Sequence, residues 1–352
     1  MKKTFSAAVA LSVLAAPAIA ANLENPLYMP KQGAAYSKTS AGVMYKIADA
    51  SKAHQLKQHD GATEFPIWRL HEELGYGILD NLEAYAKFGY THDDDIGRKG
   101  MHLGRAGLKY RAIDTTDGWA WDLYADAQLG GISEMSGSYA ANGFTYDNYS
   151  NGRWGFHVGT QFGRQWSKFS TAAFVEVLRT FGNDNNSIDV TGMPFYVEAL
   201  GMSFNNRQFG FPDEISVDLK STTEINAGLK MFYQLDDRWS FGGGLTYKHH
   251  SDNGVEGLAT RLGKIDTGNT TYDHMLTAGK AQEAAINKLM AVVEDMEDGF
   301  DEYIVNLTAA YQMTDTTQVA VYGEYTFDES HANSQNGTDV KAELGVRLNV
   351  QF

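Results

Sequence analysis

The last fifteen residues, Thr338 to Phe352 with the sequence TDVKAELGVRLNVQF, constrain the fold more than any other stretch. One parity is apolar throughout: Val340, Ala342, Leu344, Val346, Leu348, Val350 and Phe352. The other parity holds Asp339, Lys341, Glu343, Gly345, Arg347, Asn349 and Gln351. Successive side chains of a strand point to opposite faces, so the pattern predicts a strand with one apolar and one charged face. A soluble sandwich and a membrane barrel both produce such alternation.

The N-terminus predicts export. Lys2 and Lys3 precede an apolar run from Ala7 to Ala16, and the small-residue site Ala18-Ile19-Ala20 follows. This order is typical of a secretory signal peptide over residues 1–20, cleaved after Ala20. The apolar run has only about 10 residues, against the roughly 20 that a membrane-spanning helix needs. We therefore expect the mature chain, from residue 21, to leave the cytoplasm.

Composition narrows the class of protein further. The chain has no cysteine, which excludes disulfides and zinc–thiolate sites, and we predict no cofactor and no metal. Its formal charge of −15 becomes −17 once Lys2 and Lys3 are removed, and this charge argues against nucleic acid as a partner. The mean hydropathy of −0.36 does not exclude a membrane, because barrel strands place apolar residues only at alternate positions.

Alternation recurs along most of the chain. Residues 21–34 lack it, and we interpret them as a periplasmic lead-in, with a short plug inside a lumen as the alternative. From Ala35 to Ile47 onward, alternating segments are joined by short turns on one side, at Leu79–Asn81, Asp114–Gly118, Gln165–Lys168, Asp236–Arg238 and Thr314–Thr317. Longer polar loops join them on the other side. Short turns at one end and long loops at the other are typical of an outer-membrane barrel over residues 35–352.

Two regions interrupt the strand pattern. Residues 251–300 form the longest break, and within them residues 278–297 carry Ala281, Ala285, Leu289, Val292 and Met296 at helical spacing. We predict a helix there in one extracellular loop, either folded inward or lying at the barrel mouth. The region from Pro194 to Lys220 has mixed parity. The strand count is therefore about fourteen, or about twelve if that region forms only a loop.

On these residues the chain resembles bacterial outer-membrane β-barrel proteins of the porin type. The signal peptide, the alternating hairpins, the sorted turns and the terminal strand VKAELGVRLNVQF carry the resemblance. It implies an all-β, antiparallel transmembrane barrel in the outer membrane that passes small hydrophilic solutes or ions by passive diffusion. It also implies contact with outer-membrane lipids and lipopolysaccharide, and a barrel-assembly machinery that reads Phe352. We expect Ala35–Ile47 to be the closing neighbour of the terminal strand.

The charged parity predicts which residues face the lumen. Pairing across the short turns sets Glu73 opposite Lys87, Lys109 opposite Asp122, and Arg105 opposite Asp126. The predicted lumen residues are Glu73, Lys87, Arg105, Lys109, Arg111, Asp122, Asp126, Lys341, Glu343 and Arg347. Opposed charges of this kind form a polarised pore wall that orients solutes, or else a structural ladder in which charges only neutralise one another.

The run His249-His250-Ser251-Asp252 is the one stretch that invites an enzymatic interpretation. Catalysis requires an acid or base partner within hydrogen-bond reach, and no recognisable motif elsewhere in the sequence supplies one. A lipid hydrolase requires a Ser/His constellation on the lipid side, which the sequence does not reveal. We therefore predict that the chain is not an enzyme, and that these are polar residues at a strand end.

A second function remains open from sequence alone. The loops Ala48–Glu64, Gly131–Asn151 and Ser251–Gly299 are long and polar, as expected of a structural or adhesive barrel that acts through its surface.

Overall fold

The computed structural model describes residues 22–48, 66–93, 98–130, 135–139, 144–147, 153–189, 194–197, 202–205, 214–252, 255–261, 298–327 and 340–352. The predicted signal peptide (1–20) and loop helix (278–297) lie outside these residues. The strands are β1 (Ala35–Ala48), β2 (Ile67–Leu79), β3 (Leu82–Asp93), β4 (Arg98–Asp114), β5 (Trp119–Gln128), β6 (Met135–Tyr139), β7 (Phe144–Asp147), β8 (Gly155–Gln165), β9 (Phe169–Thr180), β10 (Asn183–Asp189), β11 (Pro194–Val197), β12 (Met202–Asn205), β13 (Glu214–Leu219), β14 (Thr222–Gln234), β15 (Trp239–Asp252), β16 (Val255–Arg261), β17 (Asp298–Gln312), β18 (Thr317–Phe327) and β19 (Val340–Gln351).

Twelve long strands close into an antiparallel barrel. Going around the wall, they are β1, β2, β3, β4, β5, β8, β9, β14, β15, β17, β18 and β19, and β19 pairs with β1 again. The seam runs from Tyr36 opposite Gln351 to Ala48 opposite Val340. This confirms the expected closure between the first and last strands. The described strands close the barrel with twelve members, the smaller of the two numbers that the sequence allowed.

The strands that are not part of the closed wall lie at its loop end. β6, β7, β10, β13 and β16 pair in that order and extend the wall beyond β4, β9 and β15, while β11 and β12 form a separate hairpin. The strands between Pro194 and Leu219 have 4, 4 and 6 residues. A strand must have about 9–11 residues to span a bilayer, so the region with mixed parity adds no spanning strand.

Short turns join the strands at the opposite end. In the turn between β14 and β15, the carboxylate of Asp236 accepts the backbone N–H groups of Trp239 at 2.7 Å and Arg238 at 2.8 Å. These two bonds lower the pKa of Asp236, because they favour its charged form. Aspartate is suited to this position since it bonds to its own backbone two residues further on.

The outer surface carries the apolar parity of the sequence. Leu307 and Leu344 are 66% and 60% exposed, which is the expected state of side chains that face lipid. Aromatic pairs border this band at both ends. At the turn end the ring centroids of Trp239 and Tyr311 lie 4.9 Å apart, and at the loop end those of Tyr247 and Tyr303 lie 5.5 Å apart. Two aromatic girdles around an apolar band are typical of outer-membrane barrels. The described part of the chain contains no helix long and apolar enough to cross a membrane.

Inside the barrel, tyrosine rings lie flat over glycines of the neighbouring strand. The ring of Tyr36 covers Gly75, that of Tyr124 covers Gly159, and that of Tyr322 covers Gly345. A Cβ atom at any of the three glycines would overlap the ring. These glycines therefore let large inward side chains lie against the wall and leave the centre of the lumen free.

Replacing Gly345 by alanine should destabilise the closing seam, because the new methyl group displaces the Tyr322 ring. Overpacking of this kind lowers the free energy of unfolding by about 1–3 kcal/mol. The measurement is the unfolding temperature of the purified barrel in detergent, which should fall. Gly323→Ala is the matched control, because its Cβ would meet nothing closer than Glu343 O at 3.9 Å. Equal unfolding temperatures for the two variants would contradict the packing argument.

Candidate functional site

The lumen is lined by the charged parity of the strands. One cavity of about 490 Å³ borders Glu73, Lys87, Lys109, Glu343 and Arg347. A second of about 140 Å³ towards the loop end borders Lys341 and again Glu343, and a third of about 460 Å³ at the turn end borders Arg111. Asp122 and Asp126 are 0% and 7% exposed, and Arg105 lies 4.0 Å from Asp126. Seven of the ten predicted lumen residues thus border one of these cavities, and Arg105, Asp122 and Asp126 do not.

The predicted cross-strand register is correct for one hairpin and wrong for the other. Glu73 lies opposite Lys87, with Lys87 Nζ 3.4 Å from Glu73 Oε2. In the β4–β5 hairpin, the sequence-based pairs Lys109–Asp122 and Arg105–Asp126 are wrong by two positions. Lys109 lies opposite Tyr124, and Arg105 opposite Gln128. The cause is the turn, which is centred later than predicted: Asp114 lies opposite Ala120, and the N–H of Thr115 bonds the carbonyl of Trp119. This displaces the pairing by three positions, and the irregularity between Arg111 and Ile113 takes back one of them.

The shifted register builds a buried ion pair at Asp122. Arg111 Nε lies 2.7 Å from Asp122 Oδ1, and Arg111 Nη2 lies 3.1 Å from Oδ2, so the contact is bidentate. The side chains of Arg111 and Asp122 are 8% and 0% exposed. Removing one partner of such a pair leaves an uncompensated buried charge and costs about 3–5 kcal/mol. This pair is therefore part of the wall that holds β4 to β5.

The neighbouring carboxylates are held in the same way. Asp126 Oδ2 lies 2.7 Å from His157 Nδ1 and accepts the hydroxyl of Tyr85 at 2.7 Å. Glu83, which is 1% exposed, lies 2.6 Å from Lys109 Nζ and 2.5 Å from the hydroxyl of Tyr36. Most of the charges on this side of the lumen are thus neutralised by neighbouring side chains.

Residues 22–34, which we call the N-terminal segment, lie inside the turn end of the barrel. Glu24 accepts hydrogen bonds from Arg347 at 2.9 Å and from Asn349 at 2.8 Å. Further side-chain bonds join Asn22 to Gln234, Ser240 and Gln318, and Asn25 to Gln165 and Ser170. The backbone oxygens of Pro26, Leu27 and Tyr28 accept from Gln161, Arg111 and Lys109.

This N-terminal segment borders two of the cavities. The 490 Å³ cavity borders Leu23, Glu24, Asn25, Pro26 and Tyr28, whereas the 460 Å³ cavity at the turn end borders Leu27. The two cavities share no lining residue. The bonds to Arg111, Gln161 and Arg347 attach the segment to β4, β8 and β19.

One part of the larger cavity wall has very small side chains. Gly242 points inward on β15, and a Cβ placed there would meet nothing closer than 3.7 Å. Its neighbour in the inward row, Gly244, pairs with Lys230 on β14 and Asn306 on β17, and Asn306 pairs with Glu324 on β18. Lys230, Asn306 and Glu324 all border the cavity. The cavity is open here because β15 contributes no side chain at two inward positions.

Lys230 and Glu324 are functional candidates that sequence reasoning missed. Lys230 Nζ lies 4.3 Å above the ring of Phe174. Within the described ranges, neither Lys230 nor Glu324 has an ion-pair partner, unlike most charged residues of this wall. The alternation of the sequence could have identified both as inward residues, since each lies on the polar face of a strand whose other face is apolar. Their lack of partners could only be seen once the strands were placed around the barrel.

The run His249-His250-Ser251-Asp252 divides between the two faces of β15. His250 faces inward, where its ring nitrogens lie 3.6 Å from Glu224 and 3.4 Å from Glu302. His249 faces outward, and its Nδ1 lies 2.7 Å from Oδ1 of Asp301 on β17. Sequence reasoning found no acid partner because Asp301 is fifty-two residues away in the chain.

No metal site is evident in the part of the chain that the structure describes. Within those residues, no three His, Asp or Glu side chains are grouped so that they could hold a metal ion.

Comparison with known proteins supports the fold. An outer-membrane channel from Pseudomonas putida F1 has a TM-score of 0.51 and 13% identity, covering 94% of this chain and 99% of that chain. The NanC porin has a TM-score of 0.41 and 8% identity, covering 89% and 98%, and the Pseudomonas putida toluene transporter TodX has 0.41 and 8%, covering 91% and 88%. No family model and no curated protein matches the sequence. The chain thus shares the closed-barrel fold of an outer-membrane channel.

The bonds of Glu24 should hold the N-terminal segment in the lumen. Charge-assisted hydrogen bonds contribute about 1.5–3 kcal/mol, so Glu24→Ala should release the segment more often. The chain has no cysteine, and Leu23, 4% exposed, can therefore carry a unique thiol as Leu23→Cys. We expect maleimide labelling of that thiol to be about tenfold faster or more when Glu24→Ala is added.

The control for this labelling experiment is Gln32→Cys, because Gln32 is exposed in the same segment. Its labelling rate should be the same with and without Glu24→Ala. An unchanged rate at Leu23→Cys would show that the Glu24 bonds do not hold the segment.

Proposed function

We propose that this chain is an outer-membrane channel for the passive diffusion of small hydrophilic solutes or ions. The observation that carries the proposal is the cavity of about 490 Å³ inside the closed barrel, bordered mainly by charged and polar side chains. An interior of this chemistry favours water and hydrated solutes over apolar ones. The shared fold with an outer-membrane channel supports the same conclusion.

In this proposal the ten residues that the sequence predicts to face the lumen have different roles. Glu73, Lys87, Lys109, Glu343 and Arg347 border the solute path, and Lys341 borders its continuation towards the loop end. Arg105, Arg111, Asp122 and Asp126 form the ion-paired wall that keeps the strands in register. The two interpretations of the charged parity, pore wall and structural ladder, thus apply to different residues.

The N-terminal segment is the closed end of the proposed path. It is held by polar contacts that water can replace, such as Glu24 with Arg347 and Asn25 with Gln165. Displacing residues 22–28 would join the cavities on their two sides. We infer that solute passage requires this displacement.

The proposal also includes the biogenesis partners implied by the terminal strand. Phe352 bonds Ala35 through both backbone groups, at 2.8 and 3.2 Å, so it lies at the end of the closing seam. This position supports a role for Phe352 as the signal read by the barrel-assembly machinery. The apolar outer band, with its aromatic girdles, supports contact with membrane lipids and lipopolysaccharide.

Conductance in planar bilayers tests the channel. We expect discrete openings from the purified chain, more frequent when Glu24→Ala loosens the N-terminal segment. Gly242→Trp should then lower the single-channel conductance by about a factor of two or more, because the indole fills the open side of the cavity. Gly323→Trp, on the outward face, should leave the conductance unchanged.

The absence of openings from both the folded full-length chain and its Glu24→Ala variant would overturn the channel. The barrel would remain intact, and the alternative of a structural or adhesive barrel acting through its loops would then be favoured. Equal conductance in Gly242→Trp and the parent chain would show that ions do not pass along this cavity.

Lys230 and Glu324, which have no ion-pair partner within the described part of the chain, should set the ion selectivity. Lys230→Met removes a positive charge from the cavity wall, so the channel should become more cation-selective. Glu324→Gln removes a negative charge and should have the opposite effect. The measurement is the reversal potential in a salt gradient, which should shift in opposite directions for the two variants. Lys168→Met, in an exposed turn, is the control and should leave the reversal potential unchanged. Shifts of the same sign in Lys230→Met and Glu324→Gln would contradict the assignment.

A further inference from the structure

A cluster of polar side chains lies on the outer face of the barrel at the loop end. On β15, His249 and Ser251 share the outward face with Tyr247 and Leu245. On β17, Asp301 lies directly opposite His249, and Tyr303 lies directly opposite Tyr247. The side chains of His249 and Asp301 are 42% and 36% exposed, so a molecule outside the barrel can reach them.

The contacts in this cluster orient the imidazole. His249 Nδ1 lies 2.7 Å from Asp301 Oδ1, and the same carboxylate accepts the hydroxyl of Tyr247 at 2.9 Å. A carboxylate on Nδ1 fixes the ring orientation and the tautomer, which leaves Nε2 as the atom that can accept a proton. Among the described residues, no side chain occupies the Nε2 position of His249.

Ser251 lies two positions beyond His249 on the same exposed face. Its Oγ accepts the backbone N–H of Thr223 at 2.9 Å, which leaves the hydroxyl hydrogen available for donation. Residues two apart on a strand are separated by about 6.6 Å at Cα. Ser251 Oγ is bonded towards β14 and His249 Nδ1 towards β17, so contact between Oγ and Nε2 requires the serine to leave Thr223 and rotate about χ1. Hydrogen bonds between such groups are often long in the absence of substrate and tighten when it binds.

The position of the cluster relative to the membrane limits what it can meet. Leu245 and Leu307, 49% and 66% exposed, belong to the apolar band, and the Tyr247–Tyr303 pair belongs to the loop-end aromatic girdle. Aromatic girdles mark the boundary between hydrocarbon and headgroups. His249, Asp301 and Ser251 come just after that boundary, at the depth where lipid acyl chains are joined to their headgroups by ester bonds.

We propose that Ser251, His249 and Asp301 form a hydrolytic site for carboxylic esters of membrane lipids in the outer leaflet. The proposal is independent of the channel, because the cluster faces lipid and the cavity lies on the other side of the wall. Serine, histidine and a carboxylate recur as a hydrolytic set on unrelated folds and are recognised by their geometry. Asp301 supplies the acid partner that the sequence did not reveal.

The reaction has two steps. In the first, Ser251 Oγ attacks the ester carbonyl carbon, and its proton passes to His249 Nε2. The bond between the carbonyl carbon and the alcohol oxygen of the ester, on the headgroup side, then breaks. The departing oxygen takes the proton from Nε2, and an acyl-serine remains. In the second step, water attacks this acyl group and gives a proton to Nε2. Ser251 regains that proton as the fatty acid leaves, and Asp301 stabilises the imidazolium in both steps.

The experiment uses the purified full-length chain in detergent, with diacyl phospholipid micelles in one arm and lipopolysaccharide in the other. Release of fatty acid is measured in both, together with labelling by a fluorophosphonate probe, which reacts with activated serines. Release from either lipid supports the site and identifies the source of the ester. Ser251→Ala should abolish labelling and lower the release rate by about a thousandfold or more.

His249→Asn should lower the rate to a similar extent, and Asp301→Asn by about tenfold or more. His250→Asn is the matched control: it changes the neighbouring histidine, which faces the lumen, and should leave release and labelling unchanged. Heat-modifiable migration in electrophoresis shows that each variant is folded. The absence of release from both lipids by the folded parent chain, or equal release by Ser251→Ala, would overturn the proposal. Neither result would affect the conductance.

Discussion

Closure between β1 and β19 is the constraint on which the rest of the structure depends. Lipid offers no hydrogen-bond partners, so every backbone N–H and C=O in the spanning region must be paired within the protein. An open sheet would leave two unpaired edges in hydrocarbon. The pairing of Tyr36 with Gln351, continued to Ala48 with Val340, removes both edges. The apolar parity of each strand then faces lipid, and the polar parity faces a common interior.

That interior explains why the chain carries so many charges in its strands. A lumen of twelve strands is too narrow to hydrate every inward side chain fully, so most charges are satisfied by one another, as Arg111 is by Asp122. The N-terminal segment uses the same chemistry at the turn end, where Glu24 bonds Arg347. Among the residues that the structure describes, Lys230 and Glu324 have no such partner, and they lie on the side of the wall where β15 has glycines. The polar wall thus combines a part whose charges are neutralised and a part that, in the proposed channel, meets the solutes.

The sequence predicted the features that depend on parity and missed those that depend on distant contacts. Alternation identified the long strands, the short turns and the closing pair. It failed at the β4–β5 register, because the turn is centred later than predicted, with Asp114 opposite Ala120, and alternation alone does not locate the centre of a turn. It also gave too high a preferred strand count, since short strands between Pro194 and Leu219 look like weak spanning strands. Asp301 beside His249 required the three-dimensional pairing.

The tyrosines that lie over glycines also limit how much the width of the lumen fluctuates. Tyr36, Tyr124 and Tyr322 cannot turn towards the axis without leaving the glycine surface that each one covers. Much of the bore is therefore fixed by the positions of the strands rather than by the rotamers of bulky side chains. Fluctuations in the width of the lumen then arise from its lysines and glutamates and from the N-terminal segment. In an open channel of this kind, fluctuations of the current would report the motion of those groups, and the strands of the wall would contribute little to them.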